Sequence, residues 1–335
     1  MRHDDPPSGD LALSVRDLSK RYRNRTAVDG LSLDLPAGVV AGFVGPNGAG
    51  KTTTMAMFLG LVRPTGGDGT VLGHPLDHPA GYLHRVGALI ESPAFYPARS
   101  GRDNLRILAA IARIDPGRIP AVLDLVGLTD RAGDRFRQYS LGMKQRLGIA
   151  AALLGDPELL ILDEPANGLD PEGVRDMRTL VAGLGQGGRT VLVSSHDLSE
   201  LEQVCDWLVL IDRGRSLYQG PAAGLQGGTA LGLRTRRPEE AARVRQALRC
   251  AGLAVSPFDR AAADPADADF TGLEVAVGDR HGDLADLAAR VNQLAFDAGV
   301  VLTELAPRRR SLEDRYLDLV KTELVKTDLV KGDHR

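Results

Sequence analysis

The sequence predicts an α/β fold built on a largely parallel sheet that is covered by helices on both faces. Short apolar runs typical of buried strands alternate along the chain with stretches of helical periodicity. One apolar run, residues 39–44, stops at a glycine-rich loop that leads into a helix-like stretch, residues 53–61. Because a strand, a glycine-rich turn and a helix together form a common anion-binding unit, this stretch is the predicted centre of the chain.

The composition is that of a globular protein without a nucleic-acid partner or a disulfide framework. The chain has 335 residues, 43% hydrophobic and 25% charged, which is typical of a globular protein with two domains. Its formal net charge of -3 provides no field that attracts nucleic acid, so no nucleic-acid partner is expected. Two cysteines indicate no disulfide framework, and both are predicted to be small buried hydrophobes.

Hydropathy predicts where the chain resides. The first residues lack the apolar core of a signal peptide, and no run of 18 apolar residues occurs that would cross a bilayer. We therefore expect a cytoplasmic chain that reaches a membrane only through a partner.

Apolar runs and helical patterns give the predicted elements of the first domain. A disordered lead, residues 1–10, is followed by this domain, residues 11–221, with a helical insertion at about 92–155. Its strands are predicted at 11–15, 31–35, 39–44, 70–72, 85–90, 159–164 and 190–195, followed by a hairpin that starts at Trp207 and turns at Arg213-Gly214. Its helices are predicted at 53–61, 101–113, 119–126, 141–154 and 172–184.

Residues 222–306 predict a small accessory α+β domain. Strands at 231–235, 253–255, 273–277 and 300–305 alternate with helices at 238–250 and 284–294, with a mobile linker at 261–270. The order β-α-β-β-α-β is typical of a ferredoxin-like unit. Residues 307–335 predict a helix that starts near Ser311 and a tail of three near-identical pentapeptides, for which a frayed extension is the preferred interpretation.

The loop after residue 44 carries the strongest chemical signal. Gly45, Gly50, Lys51 and Thr52 match the pattern G-x-x-x-x-G-K-[ST] between a strand and a helix, which is the context that a phosphate-binding loop requires. Lys51 is placed to meet the β- and γ-phosphates, and the Thr52 hydroxyl to hold Mg²⁺. The predicted nucleotide-binding loop comprises Gly45, Pro46, Asn47, Gly48, Ala49, Gly50, Lys51, Thr52 and Thr53.

Two further strand ends carry groups that suit hydrolysis of a triphosphate. Asp163 and Glu164 follow a buried strand, at the edge where open α/β sheets bind ligands. Asp163 is suited to coordinating Mg²⁺, and Glu164 is suited to polarising the attacking water. The weaker alternative is that this acidic pair caps a helix. His196 follows the strand at 190–195 and is predicted to reach the γ-phosphate beside Glu164.

A second predicted anion site lies far along the chain from the first. Ser140 and Gly142 precede and open an amphipathic helix, where capping alone would also account for the serine. Two phosphate sites and one triphosphate suggest a nucleotide shared between two subunits.

Taken together, the motifs of residues 11–221 resemble those of the ATP-binding subunits of ABC transporters. The resemblance implies a P-loop NTPase fold: a RecA-like core with an antiparallel β subdomain and a helical insertion. It makes Tyr22 the aromatic that stacks on adenine, Glu91 a Q-loop residue that contacts the metal, and Asp170 the D-loop aspartate. The other motifs are Walker A at 45–53, the signature at 140–144, Walker B at Asp163 and Glu164, and the switch histidine His196.

Departures from the family pattern indicate a subfamily. Glu91 replaces the usual glutamine, and the signature reads Tyr139-Ser140-Leu141-Gly142-Met143 instead of LSGGQ. The segments S-x-GMKQR-L and IESPAFYP resemble those of bacitracin, lantibiotic and anthracycline resistance exporters, whose ATPase and membrane subunits are separate chains. The resemblance implies ATP and Mg²⁺, a head-to-tail dimer of two copies, and a polytopic permease that contacts residues 92–97 at the inner face of the membrane.

Two alternatives remain at this stage. One is a soluble ABC-type ATPase that acts on ribosomes or DNA, although the DNA-associated class inserts hundreds of residues between the positions of Lys51 and Ser140. The other is a binding module with a degenerate site, against which Lys51, Asp163, Glu164 and His196 argue. Nothing in the sequence identifies the cargo.

Overall fold

The computed structural model describes residues 10–91, 94–225, 229–258, 272–276, 284–309 and 316. The predicted lead (except Asp10), the 261–270 linker and the pentapeptide tail lie outside these residues, as do Ser92 and Pro93 of the predicted permease contact. The chain divides into two compact units at the step from Ala223 to Gly224.

The first unit contains ten strands and seven helices of the described chain. The strands are β1 (Leu11–Tyr22), β2 (Arg25–Pro36), β3 (Val40–Val44), β4 (Gly66–Val71), β5 (His74–Pro75), β6 (Val86–Leu89), β7 (Leu159–Leu162), β8 (Thr190–Ser195), β9 (Trp207–Asp212) and β10 (Arg215–Pro221). The helices are α1 (Lys51–Phe58), α2 (Gly101–Ala112), α3 (Ile119–Leu125), α4 (Leu141–Leu153), α5 (Pro171–Leu184), α6 (Leu198–Leu201) and α7 (Ala222–Leu225), the last of which runs across the unit boundary.

The central sheet has six strands in the order β10-β9-β3-β8-β7-β6. β9, β3, β8, β7 and β6 are parallel, and β10 joins the edge as the second arm of the predicted hairpin. Strands β3, β7 and β8 are buried at every position, which matches the apolar sequences of β3 and β7 and the apolar centre of β8. Because these strands are parallel, their carboxyl ends meet at one edge, and the chain leaves that edge at Gly45, Asp163 and His196.

A second, antiparallel sheet has the order β2-β1-β4-β5. Strands β1 and β2 are each 12 residues long, far longer than the predicted 11–15 and 31–35. Arg16 and Asp34 form a two-pronged ion pair across these strands, at 2.7 and 2.8 Å, and backbone pairing continues beyond it to Tyr22 and Arg25. The basic stretch at 20–25 is consequently the tip of this hairpin, where Tyr22 lies opposite Arg25.

One apolar core joins the two sheets within this unit. Side chains from the antiparallel sheet, from α1 and from the central strands meet in a single buried cluster that includes Leu13, Leu33, Met55, Phe58, Phe43, Ile161 and Trp207. This packing fixes the loop between β3 and α1 to both sheets, because its two flanking elements contribute buried side chains to the same core.

The predicted helical insertion consists of α2, α3 and α4. Ser100 caps α2 by accepting a hydrogen bond from the Asp103 N–H at 3.0 Å, and Ser140 caps α4 through the Met143 N–H at 3.3 Å. Phe95 packs edge-on against Phe136, with ring centroids 5.1 Å apart. Of the two aromatics in the predicted permease contact, Phe95 is therefore part of a packed cluster, whereas Tyr96 is 61% exposed.

The second unit, beginning at Gly224, contains a four-stranded antiparallel sheet of order β12-β13-β11-β14. Its elements are β11 (Thr229–Arg234), α8 (Pro238–Cys250), β12 (Val255–Phe258), β13 (Gly272–Ala276), α9 (Leu284–Asp297) and β14 (Glu304–Arg309). A core of its own holds both helices to one face of the sheet, through residues such as Val244, Leu248, Val275, Leu287 and Val291.

Two strands of this unit start later than predicted. Leu253 was expected in a strand, but it is buried at the end of α8, where its N–H bonds to the Leu248 carbonyl after the left-handed Gly252. Val300 is likewise buried directly after α9, and pairing with β11 begins only at Glu304. Leu253 and Val300 are apolar residues that pack against the end of a helix, and in sequence such residues resemble the start of a strand.

The two cysteines differ in environment. Cys205 is buried as predicted, and burial raises the pKa of its thiol to about 12. The prediction for Cys250 was wrong: this residue is exposed at the end of α8, because the buried face of that helix is formed by Ala241, Val244 and Leu248.

Candidate nucleotide-binding and hydrolysis site

The loop after β3 is shaped by glycines at positions where no side chain fits. Gly50 has φ of +106°, and a Cβ there would lie 2.5 Å from the carbonyl oxygen of Ala27. A Cβ on Gly45 would run into the carbonyl oxygen of Ile211. The loop can therefore curl tightly against β2 and β9, and it delivers the chain into α1 at Lys51.

Lys51 lies inside this curl and is only 6% exposed. Its Nζ donates to the Gly45 carbonyl at 2.6 Å and forms an ion pair with Glu164 Oε1 at 3.0 Å. A buried ammonium group at the start of a helix presents positive charge where the N–H groups of the first turn also point. The position suits an anionic ligand.

Asp163, the first residue after β7, is 7% exposed and accepts hydrogen bonds at both oxygens. Thr52 Oγ1 donates to Oδ2 at 2.7 Å, and Ser194 Oγ donates to Oδ1 at 2.6 Å. A carboxylate beside a hydroxyl is an oxygen donor set that Mg²⁺ accepts, usually completed by substrate phosphates and water. In the described ranges no three His, Cys, Asp or Glu side chains cluster around a possible metal position, so most ligands would have to come from the nucleotide and water.

Glu164 connects the two predicted catalytic groups. Its backbone takes a left-handed conformation, φ of +48°, and its N–H donates to Ser194 Oγ at 2.9 Å. Its Oε1 faces Lys51, and its Oε2 lies 2.8 Å from His196 Nδ1. Lys51, Glu164 and His196 therefore form one chain of charge-assisted contacts at the carboxyl edge of the sheet.

Glu164 and His196 also remain accessible to solvent. The Glu164 side chain is 19% exposed and the His196 side chain 46% exposed. A carboxylate that is held by its backbone and still reaches water can accept a proton from that water.

Ser194 is a functional position that the sequence reasoning missed. It is fully buried, donates to Asp163 and accepts from the Glu164 backbone, so it orients both acidic residues. A signal was present, because two serines at the end of a buried strand are unusual unless their hydroxyls are satisfied.

Replacing Ser194 by alanine should lower the free energy of unfolding by about 1–3 kcal/mol, because Asp163 and the Glu164 N–H lose a buried partner. Urea denaturation measures the change. Thr179→Ala is the control, since it removes an exposed hydroxyl bonded to a carbonyl of α5 and should cost less than about 0.5 kcal/mol. Equal decreases in the free energy of unfolding in both variants would show that Ser194 contributes no more than an exposed hydroxyl.

The second predicted anion site is a separate groove. Ser140 caps α4 and Asp170 caps α5, accepting from Met143 N–H and Gly173 N–H respectively, and both residues line this groove together with Gly142. Within the described part of the chain, no hydrogen bond or ion pair joins these residues to the loop at Gly45–Gly50. The predicted nucleotide-binding residues therefore form two clusters.

Tyr22 and Glu91 come from two other elements, the tip of the β1–β2 hairpin and the segment after β6. Tyr22, at the hairpin tip, is about half exposed, and Lys20 Nζ lies 5.0 Å from its ring centroid. Glu91 follows β6, is exposed and has φ of +60°. Among the described residues, no hydrogen bond or ion pair brings Glu91 to Thr52 or Asp163, so its contact with the metal stays a prediction.

Comparisons with known proteins place the chain among transport ATPases. The family model described as ABC transporter matches residues 28–167. An uncharacterized ABC transporter ATP-binding protein of Bacillus subtilis is 44% identical over 206 residues, covering 61% of this chain and 68% of the relative. A bacitracin transport ATP-binding protein of Bacillus licheniformis is 44% identical over 62% of this chain and 69% of its own length. A lantibiotic transport ATP-binding protein of Streptococcus pyogenes is 37% identical over 62% of this chain and 90% of its own length.

Solved structures agree on the fold. The structure of an ATP-binding subunit of an ABC transporter superposes with a TM-score of 0.57 at 30% identity, covering 64% of this chain and 91% of that one. The structure of cbiO1 from Clostridium perfringens, described as part of the ABC transporter complex cbiONQ, gives a TM-score of 0.59 at 25% identity. The match covers 72% of this chain and 95% of that one. The predicted fold class, with its central sheet, antiparallel sheet and helical insertion, is confirmed.

Proposed function

This chain belongs to the ATP-binding subunits of ABC transporters, and from that premise we propose that it hydrolyses MgATP at the Lys51–Glu164–His196 network to drive a separate membrane permease. The observation that carries the proposal is the connection of this network to Thr52 and Asp163. Two strand ends and one helix start supply a cation, a base and an oxygen donor set, joined by contacts of 2.7 to 3.0 Å.

Each residue has a distinct task in the proposed reaction. Lys51 exchanges its ion pair with Glu164 for the β- and γ-phosphates of ATP. Water attacks the γ-phosphorus, the bond from that phosphorus to the bridging oxygen breaks, and ADP leaves; Glu164, freed from Lys51, accepts the proton of the water, and His196 holds the γ-phosphate. The Walker A backbone N–H groups cradle the remaining phosphate oxygens.

The donor set of this site fits Mg²⁺. Thr52 and Asp163 would hold it, because their oxygens lie 2.7 Å apart in a pocket where Asp163 is nearly buried. When bound, Mg²⁺ neutralises charge on the phosphates. Ser194 keeps Asp163 oriented toward that position.

The separate groove of Ser140, Gly142 and Asp170 supports a working unit of two copies. A helix start capped by Ser140 is a second anion site, yet nothing described in this chain joins it to Lys51. A head-to-tail pair would place the groove of one copy over the phosphate loop of the other. ATP would then close the pair, and its hydrolysis would open it.

The membrane partner and the cargo class are inferred from sequence and relatives. None of the described helices is long and apolar enough to cross a membrane. We propose that the chain lies on the inner face of the membrane, held by a polytopic permease at the exposed Tyr96. Relatives named for bacitracin and lantibiotic transport favour a peptide antibiotic or another hydrophobic drug as the exported cargo.

Co-purification tests this proposal directly. The tagged chain is extracted with detergent from membranes of its own host, and the captured proteins are identified. We expect a stoichiometric polytopic protein, with ATP hydrolysis in the captured complex. Capture of ribosomes or DNA in its place would overturn the transport function, and an inactive complex would overturn hydrolysis.

A further inference from the structure

Arg25 lies opposite Tyr22 at the tip of the β1–β2 hairpin. Residues directly opposite in an antiparallel pair project to the same face of the sheet. The Arg25 side chain is therefore a neighbour of the ring that we expect to stack on the base of the nucleotide, although none of the family motifs in this sequence includes it.

The Arg25 guanidinium reaches the phosphate loop. Its Nη2 lies 3.3 Å from the position that a Cβ on Gly48 would take, and Gly48 is the middle of the loop between Gly45 and Lys51. Arg25 approaches the loop from the hairpin tip that also carries Tyr22, whereas Glu164 and His196 follow the ends of central strands.

The start of β2 is fixed relative to this loop. The Ala27 carbonyl lies against Gly50, as the 2.5 Å distance to a hypothetical Cβ shows. The turn residue Gly214 accepts from the Asp29 N–H at 2.9 Å and donates to the Ala49 carbonyl at 2.8 Å, which ties β2 to the loop a second time. Arg25 therefore projects from an anchored backbone only two residues from Ala27.

The charge of Arg25 has no acidic partner in the described part of the chain. Arg16 and Arg215 are paired, with Asp34 at 2.7 Å and with Asp29 at 2.8 Å, whereas the hairpin residues Arg21 and Arg23 form no ion pair with any described residue. For Arg25, no ion pair or side-chain hydrogen bond occurs with any residue that the structure describes. An exposed, unpaired guanidinium beside a loop of phosphate-facing N–H groups is complementary to a phosphate oxygen pair.

We propose that Arg25 is a nucleotide-binding residue that contacts the α- and β-phosphates, between the base at Tyr22 and the γ-phosphate at Lys51. The inference rests on the proposed function, since it names a further ligand of the same nucleotide. Arg25 thus raises affinity for both di- and triphosphates, while the hydrolytic step belongs to Glu164.

Binding constants for ATP, ADP and adenosine in the full chain test the proposal. Arg25→Ala should raise the Kd for ATP and for ADP by about tenfold, the worth of one charge-assisted contact, and leave adenosine unchanged. Arg25→Lys should recover part of the loss, since it restores charge without the planar fork. Adenosine is measured by competition against a fluorescent nucleotide.

Arg23→Asn is the matched control. It removes the same charge from the same hairpin at a residue whose φ of +45° suits asparagine. Equal losses of nucleotide affinity in this control and in Arg25→Ala would indicate a diffuse electrostatic effect of the hairpin and overturn the specific contact. Unchanged Kd values in Arg25→Ala would also overturn it. A loss that extends equally to adenosine would assign Arg25 to the base and also overturn the proposal. Failure of the unmodified chain to bind ATP would instead overturn the proposed function itself.

Discussion

Glu164→Gln is expected to slow ATP hydrolysis by about 10²–10⁴-fold, the usual contribution of a positioned general base. This range corresponds to about 3–5 kcal/mol of activation free energy. The reason is chemical, because an amide of the same shape cannot accept the proton of the attacking water. Single-turnover hydrolysis with saturating ATP measures the step without interference from product release.

Nucleotide binding should survive this substitution. Glu164 Oε1 is ion-paired with Lys51 at 3.0 Å, so ATP has to displace the carboxylate from the lysine. Glutamine weakens that competing contact and still offers an acceptor to His196. ATP should consequently bind at least as tightly, and the paired form of the chain should accumulate in size-exclusion chromatography.

Glu158→Gln is the matched control for the same chemical change. Glu158 directly precedes β7, whereas Glu164 follows it, and Glu158 pairs with Arg85 at the surface. Arg85 holds the pKa of the Glu158 carboxyl below its usual range, and an exposed pair of this kind is worth at most about 1 kcal/mol of stability. The control should hydrolyse ATP at the normal rate. Near-normal hydrolysis by Glu164→Gln would remove its role as the base.

The position of the site was predictable because parallel strands share an edge. Gly45, Asp163 and His196 each directly follow a buried apolar strand, and that pattern is visible without coordinates. The order of the strands was not visible. It is the pairing of β3 with β8, and of β8 with β7, that brings Lys51, Glu164 and His196 into contact.

Other features depend on tertiary contacts that local patterns do not encode. Ser194 gains its role only because β8 lies beside β7, so that its hydroxyl meets Asp163. The full length of β1 and β2 comes from backbone pairing that continues through polar residues to Tyr22 and Arg25, which alternation of apolar residues cannot reveal. The closeness of Arg25 to Gly48 arises from the folding of β2 onto the loop, and no local pattern in the sequence encodes it.

Lys51→Ala should weaken ATP binding by about 100-fold, since a charge-assisted contact with phosphate is worth up to about 3 kcal/mol. The loss should be larger for ATP than for ADP, because Lys51 is proposed to face the γ-phosphate as well as the β-phosphate. Isothermal titration of both nucleotides measures the difference. Arg102→Ala, which removes an exposed cation of α2, is the control and should leave both Kd values unchanged.

Weak ATP binding by Lys51→Ala has a second possible cause in this structure. Lys51 is almost fully buried, donates to the Gly45 carbonyl and balances Glu164, so its removal leaves a buried acceptor and a carboxylate without their cation. Weak binding could then reflect a collapsed loop and not a lost phosphate contact. Adenosine separates the two cases, because its binding is predicted to involve Tyr22 and not the lysine. A folded variant that keeps adenosine affinity and loses ATP affinity assigns the phosphate contact to Lys51, whereas unchanged ATP affinity in that variant would rule the contact out.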